Sequence, residues 1–182
     1  MYLNPNLWHP TTKAAVVTAL FSVAGLIGCY TANANWPYVM PMLVFYIVLT
    51  INSFFSIRLF STITPVEDAT QRILDLVLMA VYFLLAYSFD NTKMFLIITL
   101  FLFIVAPLKY SFLLLGKVPY PKLLKKKITI DLLGTLLAAS VIAGFEAGYT
   151  YESAWALAII FTAANVYLLF IDPMYKIIDV IE

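Results

Sequence analysis

Long apolar runs alternate with short polar breaks along this chain, and the alternation repeats six times in 182 residues. The runs fall at approximately 14–30, 38–60, 73–89, 94–115, 128–148 and 154–171. A helix crossing the hydrocarbon core of a bilayer needs about 20 mainly apolar residues. Each run meets that length or approaches it, the first and third lying at the lower limit. The runs are continuous rather than alternating, and they exceed the roughly 9–11 residues of a membrane barrel strand. The predicted fold class is therefore all-α: a polytopic membrane protein with a single transmembrane domain, residues 1–182, whose six helices form three helical hairpins.

Composition points the same way. The chain is 63% hydrophobic and 12% charged, whereas soluble domains average about 45–50% apolar and about 25% charged. A water-soluble fold of this length cannot hide so much apolar surface. Residues 1–10 hold no basic stretch ahead of an apolar one, so the first helix is expected to be retained rather than cleaved as a signal.

The placement of charge sets the expected orientation. With both termini in the cytoplasm, Lys13, Arg58, Arg72, Lys109, Lys117, Lys122, Lys125, Lys126, Lys127 and Lys176 share the inner side, and Lys93 alone lies outside. This is the asymmetry that the positive-inside rule requires. It suits a bacterial inner membrane, which is the expected location. The net charge of +1 gives no reason to expect nucleic acid as a partner. The lysine-rich stretch 116–127 reads as a loop. Lys122, Lys125, Lys126 and Lys127 in it are candidates for contact with anionic lipid or a partner protein, or they serve only as topology determinants.

Polar residues at membrane depth are costly and usually face the protein interior. Asn52, Asp75, Lys109, Asp131 and Asn165 fall near one level in the cytoplasmic third, given a rise of about 1.5 Å per helical residue. They predict a buried polar layer in which Lys109 pairs with Asp75 or Asp131, and the asparagines supply hydrogen bonds. The competing arrangement has Lys109 reaching to the interface, Asp75 capping its helix beside Arg72, and Asp131 paired with Lys127 at helical spacing. Asn52, Ser53 and Ser56 share one face of the second helix. Asp75 and Asp131 begin similar stretches, each followed fourteen residues later by an acidic-flanked phenylalanine, Phe89-Asp90 and Phe145-Glu146, a weak internal repeat. The Phe- and Leu-rich fourth helix is expected to face lipid or a partner subunit. Small residues in the fifth and sixth helices predict that these two pack closely.

Catalytic signatures are missing from the sequence. There is one histidine and one cysteine, no glycine-rich phosphate loop and no nucleophile elbow. No cofactor or metal is expected, and the chain reads as a non-enzymatic subunit of a membrane assembly, self-associated or joined to other subunits. The alternative is a transporter component or channel for a small molecule or ion, built on the polar layer.

In length, helix number and cytoplasmic start the chain is similar to the membrane substrate-binding subunits of energy-coupling-factor vitamin transporters. Ala15-Val-Val-Thr-Ala19 resembles the small-xxx-small pattern on their first helix. That resemblance implies a transport component and transfers no binding residue. The short outer breaks at 31–36 and 146–151 leave little material for a lid over an external site.

Overall fold

The computed structural model describes residues 9–32, 36–64, 68–116 and 120–175. Lys117 and Lys176, used above for orientation, lie outside the described residues. Six helices make up the fold: α1 (Pro10–Thr31), α2 (Trp36–Ile63), α3 (Ala69–Tyr87), α4 (Thr92–Leu115), α5 (Pro121–Glu146) and α6 (Thr150–Val166). A π-helical turn, Tyr167–Ile171, continues α6. All six are long and apolar enough to cross a membrane, counting α6 with its π turn.

Local chemistry explains where the helices start and stop. Pro10 and Pro121 occupy first-turn positions, where a missing N–H costs nothing. Asp68 caps α3 by accepting from the Gln71 N–H at 3.1 Å, and Asn91 caps α4 by accepting from the Met94 N–H at 3.0 Å. The cap of α3 is thus Asp68 rather than Asp75. The end of α5 is a Schellman turn: the Tyr149 N–H reaches the Gly144 carbonyl and the Gly148 N–H reaches that of Phe145. Gly148 supplies the positive φ of 98° that this turn needs. Hydroxyls inside the apolar helices bond back to carbonyls of the preceding turn, as Thr18 does to Ala14 at 2.8 Å and Thr50 to Tyr46 at 2.9 Å. No side-chain hydroxyl of these two is left to be satisfied by lipid.

The lysine run corrects the sequence reading. It is not a loop, because α5 begins at Pro121 and carries Lys122 to Lys127 on its first two turns. Lysine is a good helix former, and the proline ahead of it is already set for a helix.

The helices form a closed ring in the order α1, α2, α6, α5, α4, α3 and back to α1. The successive pairs α1–α2, α3–α4 and α5–α6 pack together, but the most extensive contact joins α4 to α5. The fourth helix keeps one apolar face exposed, with Ile97, Phe101, Ile104, Leu108 and Phe112 on it, as expected of a helix facing lipid or a partner, and buries the other. It touches α2, α3, α5 and α6, and half of its most apolar stretch is buried inside the protein. Phenylalanine content does not separate the lipid-facing side of a helix from its buried side, since lipid tails are as apolar as a protein core. The small-residue expectation holds only locally for α5 and α6: a Cβ on Gly144 would lie 2.8 Å from Ser153 Oγ, whereas Ala139, Ala143, Ala163 and Ala164 are exposed.

Candidate functional site

The two ends of the bundle differ. At the end where α2 and α4 begin, aromatic rings close the interior. Phe45 is fully buried, with ring centroids of Phe161, Phe95 and Phe103 at 4.5, 5.8 and 6.3 Å. Phe89 stacks on Phe95, and Tyr46 meets Phe89 edge-on. At the lysine-rich end the ring of helices encloses a cavity of about 1070 Å³. Its wall runs from Pro10, Lys13, Thr64 and Arg72 at the mouth to Phe21, Leu49, Phe103 and Phe161 at its floor. Eleven residues separate Pro10 from Phe21, a depth of roughly 16 Å at 1.5 Å per residue, about half of the hydrocarbon core.

All five residues of the predicted polar layer lie on the wall of this cavity. They do not form one continuous network. Lys109 pairs with Asp75, joining α4 to α3. Lys127 pairs with Asp131 one turn along α5 at 2.5 Å, and both side chains are buried. Each of the two arrangements weighed from sequence thus supplies one of the pairs. The earlier start of α5 explains the second. Asp131 lies ten residues into the helix, roughly 15 Å from its first residue, and Lys127 shares its inward face.

Of the lysines assigned to lipid or partner contact, Lys122 and Lys125 are exposed, and Lys126 is bound to Asp172 at 2.5 Å. Lys127 does not belong with them. Only 6% of it is exposed, and its ammonium lies 5.4 Å from the centre of the Tyr110 ring. The Lys109 ammonium flanks the same ring at 5.9 Å.

The structure adds residues that sequence reasoning missed. The polar face of α2 holds three tyrosine hydroxyls from other parts of the chain. Ser53 bonds Tyr82 of α3, Ser56 bonds Tyr110 of α4 at 3.0 Å, and Asn52 accepts from Tyr175 beyond the π turn at 2.9 Å. Tyrosines at membrane depth rather than at the interface were the available signal. Burial raises the Tyr175 hydroxyl above the ordinary tyrosine range; nearby Lys127 opposes that shift and Asp131 adds to it. The hydroxyl donates to Asn52. Tyr175 also stacks on Phe55, so the segment after α6 folds back over the cavity wall, with the Lys126–Asp172 pair at its edge.

Gln71 was likewise missed. It is 1% exposed and donates from Nε2 to the Lys109 carbonyl at 3.2 Å. Among the described residues, its Oε1, Asp131 Oδ2 and Asn165 Oδ1 are buried acceptors without a partner, and all three residues line the cavity. Asn165 uses its Nδ2 on the Phe161 carbonyl at 2.8 Å.

The chain matches no protein-family model, no curated protein and no solved structure.

Proposed function

We propose that this integral membrane protein is a non-enzymatic transport component that takes a small molecule into the cavity at its lysine-rich end. One observation carries the proposal: the buried charged residues among those described, Lys109, Lys127 and Asp131, all lie on the wall of one large cavity. Ligand sites are typically concave, mostly apolar and of about 300–1,000 Å³, with a few convergent polar groups. A helix bundle stabilised by packing alone has no need of such a space. The positive-inside rule puts the lysine-rich end in the cytoplasm, so the cavity is entered from that side and the aromatic half faces outward. A purely structural assembly subunit accounts for the short breaks between helices but not for the cavity.

The test is native mass spectrometry of the protein extracted gently from its own membrane, beside the variant Ala106→Trp, which places an indole on the cavity wall. The expected result is a bound small molecule in the parent that is absent from the variant. A defined complex with other subunits that carries no small molecule, identical for parent and variant, would overturn the proposal in favour of an assembly subunit.

A further inference from the structure

One seam of the helix ring changes along its length. At the end away from the lysines, α5 and α6 come into close contact, Gly144 against Ser153. Helical spacing carries the same two faces toward the lysine-rich end. Leu137, Leu133 and Ile130 precede Gly144 by seven, eleven and fourteen residues, and Ile160, Ala164 and Tyr167 follow Ser153 by the same steps. The two helices are antiparallel, so these triplets face one another across the seam. All six residues line the cavity, and none of them is buried. Leu133, Ile160 and Tyr167 are 60%, 49% and 50% exposed. A place on the cavity wall does not by itself expose a side chain, since Leu49, Phe103, Tyr110 and Phe161 line the same cavity and are buried. The seam is therefore shut at Gly144 and open from Ile160 to Tyr167, a height of roughly 10 Å at 1.5 Å per residue. The Lys126–Asp172 ion pair bridges it again at the lysine-rich end. The gap is apolar and lies within two membrane-spanning helices, so acyl chains border it, and an acyl chain enters it at no cost in desolvation.

Directly across the ring is the seam between α1 and α3. Its inner end places Lys13 and Arg72 on the cavity wall. Each is the fourth residue of its helix, where the helix dipole adds to its charge and an anion is favoured. Neither has an ion-pair partner among the described residues. The other charges of the wall are engaged: Lys109 with Asp75, Lys127 with Asp131, Lys126 with Asp172, and the Asp68 carboxylate with the Gln71 N–H. This seam is less open than the first. Leu76 of α3 is exposed, but Val17 of α1 is half-buried, and Phe21 stacks on Tyr82 with ring centroids 4.1 Å apart.

We propose that the gap between α5 and α6 is a lateral portal from the bilayer, through which the cavity takes an acyl-chain amphiphile with an anionic head. The chain occupies the apolar gap, and the head crosses the cavity to Lys13 and Arg72. This rests on the reading of the cavity as a ligand site and names the substrate class and its route of entry.

The test is photolabelling of the full chain in lipid nanodiscs, mapped residue by residue. The probes carry one diazirine-bearing sixteen-carbon chain with a carboxylate, a hydroxyl or an ammonium head, and a phosphatidic acid holds the same chain. Leu20 and Val23, exposed on α1 away from the cavity, serve as the internal reference for contact with lipid. The acidic probes are expected to label Phe103 and Ala106 on the cavity wall about tenfold more than the neutral one, the scale of one charge-assisted hydrogen bond. Whether the free acid or the phospholipid leads tells which source supplies the anionic head. Ala164→Trp, or Leu133→Trp from the opposite side, fills the gap and should abolish the inner labels while the reference labels persist. Ala163→Trp, one residue away and off the cavity wall, should leave both sets unchanged. Inner labelling that survives Ala164→Trp and Leu133→Trp, or is lost only in Leu76→Trp at the opposite seam, would overturn the portal. Stronger inner labelling by the hydroxyl or ammonium probe would overturn the anionic head. If no probe labels the interior although the extracted protein carries a molecule that Ala106→Trp excludes, this inference fails and the cavity reading stands. If there is neither inner label nor retained molecule, both fail.

Discussion

The two halves of the bundle are made from the same six helices, yet one is packed shut and the other encloses about 1070 Å³. The difference lies in what the side chains can do with a gap. In the aromatic half, Phe45, Phe89, Phe95, Phe103 and Phe161 pack ring against ring. Apolar space left there would forfeit dispersion contacts with no compensation. In the lysine-rich half, the helices are held by directional bonds from the rim inward: Lys109 to Asp75, Ser56 to Tyr110, Asn52 to Tyr175, and Thr135 to the Phe103 carbonyl at 2.7 Å. Such bonds fix spacing without filling volume. A cavity with polar groups on its wall is also able to hold water, whereas a purely apolar one stays dry.

Three sets of substitutions would break or sharpen this comparison. The largest effect is expected from Lys127→Ala, which leaves Asp131 as an unpaired buried carboxylate. Removing one member of a buried pair costs about 3–5 kcal/mol. The double variant Lys127→Met with Asp131→Leu should recover most of that loss, and thermal unfolding in nanodiscs reads both. A single variant as stable as the parent would mean that Asp131 is hydrated, so that the cavity is wetter than its buried surface indicates.

A matched pair of glycine changes comes next. At Gly28, in the packed half, a Cβ would lie 1.9 Å from the backbone oxygen of Ala86, so α1 and α3 must separate. Gly28→Ala should cost about 1–3 kcal/mol, the range for overpacking. At Gly134, on the cavity wall, the nearest obstacle is the Phe103 ring at 2.7 Å, a side chain that also borders the cavity, so a ring rather than a backbone must give way. Gly134→Ala should therefore lower the unfolding temperature less than Gly28→Ala. Equal losses at the two sites would show that the cavity half is as unyielding as the aromatic half.

The smallest effect belongs to the outer rim of the packed half. Lys93 and Glu146 form an ion pair at 2.7 Å, and more than half of each side chain is exposed. Exposed pairs contribute about 0–1 kcal/mol. Lys93→Ala should leave unfolding nearly unchanged while removing the basic residue at that end, and a cysteine-labelling map of the variant would report whether orientation depends on it.

Much of the Lys109–Asp75 contact was legible in the sequence, because a lysine and an aspartate at one depth on neighbouring helices have few other ways to be satisfied. The Lys127–Asp131 pair was legible only as helical spacing. Its burial was hidden, because a lysine run between prolines reads as a loop until the helix is seen to start at Pro121. The tyrosines on α2's polar face were hidden for a different reason. Tyr82, Tyr110 and Tyr175 look individually like interfacial aromatics, and only the packing brings their hydroxyls to Ser53, Ser56 and Asn52.

By itself the sequence determined the all-helical class, the number of apolar segments and the depth of the polar residues. These depend on hydropathy and on the fixed rise of a helix, which are properties of a segment taken alone. Tertiary structure decided which helices are neighbours, which face of α4 is buried, that Lys127 turns inward, and that the polar residues border a cavity. Those outcomes depend on which face of each helix meets protein and which meets lipid. Two equally apolar surroundings leave no mark on the sequence that distinguishes them.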